Sequence, residues 1–225
     1  MKPYRAAVLN FSTCLFFLLA ATPLRAEDQP CKDHNITIES SSPEEKAWAC
    51  AALSHSTRFL KRIGLAFPDN LVIMLVDGHR SQTLSKDEIG RFNARSNIIQ
   101  IRSYQAFHSL AQPLALDLPK SLETWQSYIV HEVSHAAVHA GCDETCPSRA
   151  MHEYVAAVAQ IDALPGQLRA SLLERYRGLP AFGALSEISY LYYEMNPGYF
   201  AVKAYKHFQN LTDPQGFVRD VLHLQ

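Results

Sequence analysis

The sequence predicts an α+β fold, a small sheet followed by a mainly helical remainder, and three observations carry that prediction. Two short β-rich runs lie in the first half, at residues 70–76 (NLVIMLV) and 97–102 (NIIQIR). Residues 122–140 hold no Pro or Gly, carry apolar residues at helical spacing and stop at Gly141, which predicts one long helix. Beyond it, helical segments at 164–176, 184–195 and 199–210 are separated by Gly178, Pro180 and the run Asn196, Pro197, Gly198.

In chain order, Lys2 and Arg5 precede a short apolar core at residues 14–21, and Leu24, Arg25 and Ala26 offer a small residue for cleavage. This pattern predicts a secretory signal peptide over residues 1–26 and an exported domain, periplasmic or extracellular, over residues 27–225. The apolar core is too short to span a bilayer, and no later segment is long enough, so no stable membrane insertion is expected after cleavage. A formal charge of −1 with scattered basic residues argues against a nucleic-acid surface. The exported chain keeps Cys31, Cys50, Cys142 and Cys146, an even set that predicts two disulfides. Local loop closure favours Cys31–Cys50 and Cys142–Cys146; a structural zinc on the second pair is the alternative.

Ser42, Pro43, Glu44 and Glu45 form a helix start with an N-cap serine and a first-turn proline, and the helix should end near Arg62, before Gly64. The strand at 70–76 closes at an Asp77–Gly78 turn, and a polar connection covers residues 81–96. The strand at 97–102 leads to a short helix at 104–110 and a Pro-containing connection at 111–120.

The long helix carries His131, Glu132, Val133, Ser134 and His135, an HExxH pattern. Residues four apart lie on one helical face, so His131 and His135 can hold one metal ion between them. Glu132 stands beside the first histidine, where its carboxylate can take a proton from a water at the metal without binding the metal itself. Two histidines leave the site open, and Val138 and Gly141 stand where a metzincin would place its glycine and third histidine. Glu153 is the favoured third ligand, because a second helical segment at 151–162 returns it beside the pair; His152, Asp143 and Glu144 are rivals. His139 is rotated away from the pair and reads as a flanking residue.

HEVSH, the short connection through Cys142 and Cys146 and a second helix opening on Glu153 together resemble the gluzincin branch of the zincin metallopeptidases, mainly over residues 122–162. The resemblance implies a zincin-like α+β fold with a small sheet on the HExxH helix and a helical C-terminal lobe. It implies Zn2+ held by His131, His135 and Glu153, with Glu132 as general base in peptide-bond hydrolysis and a peptide or protein as substrate. By analogy with that fold, the strand at 97–102 would be the sheet edge that pairs with an extended substrate. One of Tyr190, Tyr192, Tyr193, Tyr199, Tyr205 and His207 would stabilise the developing oxyanion. The sequence departs from many gluzincins at Ala157, where an acid usually supports a histidine ligand. Two alternatives stand beside this reading: a catalytically inactive zincin-fold zinc-binding or envelope-partner protein, and a metal-free helical binding domain.

Overall fold

A computed structural model describes residues 31, 35–77, 84–142 and 148–223. The leader expected at 1–26, the turn residue Gly78, the rival ligands Asp143 and Glu144, and Cys146 lie outside the described residues.

Four strands, β1 (Ile36–Glu39), β2 (Leu71–Val76), β3 (Gly90–Asn93) and β4 (Ile98–Arg102), form one mixed sheet in the order β1-β2-β4-β3. β1, β2 and β4 run parallel, and β3 pairs antiparallel with β4, Phe92 opposite Ile99. The expectation that residues 97–102 form the substrate-facing edge is therefore corrected. β4 is an inner strand with Ile99 and Ile101 fully buried, as are Leu71 and Ile73 of β2. Strands buried this deeply need neighbours on both sides, and β3 supplies the outer one from within the stretch read as a polar connection.

Helix α1 (Pro43–Arg62) starts as its sequence predicts, with the Ser42 hydroxyl accepting the Glu45 N–H. It stops at Gly64, whose φ of +74° is the left-handed conformation that glycine adopts without strain. A Cys31–Cys50 disulfide ties the segment before β1 to α1. Short α2 (Tyr104–His108) follows β4. Helix α3 (Leu122–Gly141), capped by Ser121, packs between α1 and α4 (Arg149–Ala163) and also against β3. Trp125, Ile129 and Val133 of α3 are fully buried, and the Trp125 indole N–H donates to the Arg102 carbonyl at 2.8 Å, fixing α3 against β4.

The C-terminal part is helical as expected, with different boundaries. It comprises α5 (Gly166–Arg175), a 3-10 turn at Leu185–Glu187, α6 (Tyr190–Met195), α7 (Pro197–Gln209) and α8 (Pro214–His223). The run read as a break at 196–198 is a helix start: Asn196 caps α7 by accepting the Tyr199 N–H, and Pro197 fills the first turn. α7 packs on α4, and α6 on both. No helix among the described residues is long and apolar enough to cross a membrane.

Candidate metal centre

The metal-ligand geometry begins with two helices that run side by side. The imidazole Nε2 atoms of His131 and His135, one turn apart on α3, lie 3.1 Å from each other. Glu153, on the first half of α4, brings its Oε2 to 3.6 Å from one and 3.7 Å from the other. Ligand bonds of about 2.0–2.1 Å in tetrahedral geometry require ligand atoms about 3.3–3.4 Å apart, close to these three separations. Among the described residues these three form the one group of metal-ligating residues that converges in this way. Glu153 Oε2 is also buried with no hydrogen-bond partner. An orphaned carboxylate oxygen is costly in a folded protein, and a cation between it and the two imidazoles would satisfy it. The donor set fits zinc chemically and leaves room for further ligands.

Gln160 answers the question raised by Ala157. Its amide oxygen lies 3.1 Å from His131 Nδ1, two turns beyond Glu153 on α4, and is placed to accept the Nδ1–H. With that proton on Nδ1, the Nε2 lone pair of His131 faces the ligand group. Burial pushes His131 down to about 4 and His135 well below the ordinary histidine range, so both imidazoles are held neutral, the form that binds metal. Burial also raises the Glu153 carboxyl, to about 7, against the opposing hydrogen bond from Tyr193 and the charge of Arg149.

Glu132 is buried beside this group, and the edge strand lies directly on it. The Phe92 backbone N–H donates to its carboxylate. Gly90 leaves room for the same group, since a Cβ there would come within 2.9 Å of Glu132 Cγ and 3.0 Å of Oε1. Burial first, and then the neighbouring Glu153 charge, push Glu132 up to about 8, against the Phe92 amide. The strand is itself held from behind. The buried Arg102 guanidinium donates to the carbonyls of Ser85, Lys86 and Glu88, fixing the segment that leads into β3.

A cavity of about 900 Å³ opens over the centre, walled by β3, residues 110–116, α3, α4 and α6. Of the aromatic candidates for an oxyanion donor, Tyr190 and Tyr193 line this cavity, and the Tyr193 hydroxyl bonds to Glu153. Tyr192 packs on Phe182 and Phe200, Tyr199 on Tyr176, Tyr205 is buried, and His207 is 2.7 Å from the Tyr154 hydroxyl. The rival ligand His152 stacks on the His135 ring, and His139 lies against Phe92. Gln160, Gly90 and Phe92 are absent from the sequence reading. Only a glycine in an otherwise polar stretch hinted at the second of them.

The fold and site together define an α+β protein with a two-histidine, one-glutamate centre able to hold a metal ion on paired helices. The protein belongs to the family of unknown function DUF6639, whose model matches residues 36–225. No curated protein and no solved structure matches it.

Proposed function

We propose that this protein is an exported zinc-dependent metallopeptidase with a zincin-like fold of gluzincin type, acting on peptide bonds. The observation that carries the reading is the convergence of His131, His135 and Glu153 on one point with Glu132 alongside. Zinc, when bound, supplies Lewis-acid polarisation of a carbonyl oxygen and makes water more acidic. The protein's own residues do the rest. Glu132, oriented by the Phe92 amide, takes the proton of the attacking water and delivers it to the leaving amine. The Tyr193 hydroxyl, facing the cavity, donates its one proton to Glu153 and steadies that ligand; it would serve a developing oxyanion only by exchanging that partner.

β3 is the strand on which a peptide would lie. Ile89 pairs with Arg102 and Arg91 with Gln100, so the backbone groups of Gly90 and Phe92 face away from β4, toward Glu132 and the cavity. Export is supported by the Cys31–Cys50 disulfide, which persists in an oxidising compartment. The test is the variant Glu132→Gln assayed on a peptide library. It should keep its metal and lose hydrolysis by about 10²- to 10⁴-fold. Turnover equal to that of the parent protein would remove Glu132 from the chemistry.

A further inference from the structure

Two arginines line the cavity, and they differ in one respect. Arg91 is held by Glu88 through two hydrogen bonds, Nε to Oε1 at 2.7 Å and Nη2 to Oε2 at 2.5 Å. Arg149 forms no ion pair or hydrogen bond with a carboxylate of the described residues, although its charge reaches Glu153. Its guanidinium carbon instead sits 4.2 Å from the centroid of the Tyr190 ring. A guanidinium seated on an aromatic ring is held in place by its face, which leaves its N–H edge free for a planar acceptor. Nor does Arg149 serve its own helix. It occupies the first turn of α4, the end at which the helix dipole disfavours a cation.

The position of Arg149 relative to the metal centre is set by α4 and α6. Glu153 lies one turn further along α4, about 6 Å at 1.5 Å per residue. Tyr190 touches Tyr193, whose hydroxyl bonds to Glu153, so Arg149, Tyr190, Tyr193 and Glu153 form one continuous wall. An extended peptide advances about 3.3 Å per residue, so that wall spans roughly two residues of substrate.

We infer that Arg149 is the carboxylate-binding residue of the cleft. The substrate it selects carries a carboxylate, from the C-terminus of a peptide or from an acidic residue, about two residues from the cleaved bond. The inference rests on the peptidase reading above. Arg149 does not touch the reacting atoms; it fixes which peptides lie across them.

Calorimetric binding to the Glu132→Gln protein tests this, with four probes. These are acetyl-tetraalanine as the free acid, the same peptide as its amide, acetyl-Ala-Ala-Glu-Ala-amide and acetyl-Ala-Ala-Gln-Ala-amide. At least one carboxylate peptide should bind about tenfold more tightly than its neutral counterpart, the effect of one charge-assisted contact. Adding Arg149→Gln should erase that preference and leave metal content unchanged, while Arg149→Lys should restore part of it. Preference for the free acid identifies a C-terminal carboxylate, and preference for the glutamate peptide identifies an acidic residue. Equal binding of all four, or a preference that survives Arg149→Gln, overturns the inference and leaves the peptidase reading standing. No binding of any of the four contradicts both.

Discussion

Helix α4 carries two carboxylates that face opposite sides of the molecule, and their surroundings differ. Asp162 is bridged to Arg62 of α1 at 3.0 Å, and the Arg169 guanidinium donates to its backbone carbonyl at 2.7 Å. A cavity of about 540 Å³ lies there too, and its histidine, His55, is 3.0 Å from an Arg58 nitrogen. Glu153 is buried, faces two neutral imidazoles and leaves one oxygen without a hydrogen-bond partner. The two ends of α4 hold similar residue types, acid and histidine. At one end the charges are matched by protein cations, as in ordinary surface structure. At the other no protein cation forms an ion pair with Glu153 among the described residues, although the Arg149 charge acts on it, and one carboxylate oxygen is left for a metal ion to satisfy.

Removing the metal should disturb the Glu153 end most. Zinc at about a thousandfold over its Kd contributes about 4 kcal/mol by linkage, so a chelator should lower the Tm by roughly 8–16 °C. The chelated protein should also show a distinctive pH dependence. His131 is held down at about 4 from its ordinary 6.5, so its contribution to stability grows as pH rises to about 6.5 and is constant above that. Glu132 and Glu153 are raised from 4.5 to about 8 and about 7. The folded state therefore holds more protons than the unfolded state up to those values, and stability falls as pH rises through that window. Between pH 6.5 and 8 only the carboxylate effect remains, so the Tm of the chelated protein should fall. Zinc-loaded protein should show a smaller fall, because ligation keeps Glu153 deprotonated and leaves only the Glu132 contribution; a flat profile in chelator would contradict these assignments.

A smaller effect is expected at Gln160. Gln160→Ala removes the acceptor behind His131 and should weaken zinc about 10- to 100-fold in a competition titration, with Gln160→Glu recovering the affinity. Unchanged affinity in the alanine variant would mean that His131 is oriented by packing alone. The smallest effect belongs to the other end of the helix. Asp162→Asn should cost under about 1 kcal/mol in a denaturant titration and leave metal content untouched, as for other partly exposed ion pairs. A large loss of metal in that variant would end the contrast between the two carboxylates.

How much was legible in the sequence follows from the same contrast between local and assembled features. His131, Glu132 and His135 could be read because four-residue spacing on a helix is a local property, and Glu153 because one returning helix suffices to bring it back. The inner strands β2 and β4 were visible as apolar runs. β1 and β3 were not, since each is only four residues long, too short a run for its alternation to stand out from the loops around it. Missing β3 placed the sheet edge one strand too far in. Gly90 and Phe92 owe their importance to where β3 meets Glu132, which no local pattern encodes. Gln160 was hidden for a related reason: the usual position of the supporting acid is Ala157 here, while the acceptor sits one turn further along the helix.

The most direct test is the zinc content of the purified mature protein and of Glu153→Ala, measured after zinc is supplied and excess removed. About one zinc per molecule in the parent, and none retained by the variant, is the result expected from an orphaned Glu153 oxygen between two neutral histidines. Zinc held equally well without Glu153, or no zinc bound by the parent at all, would contradict the His131–His135–Glu153 centre.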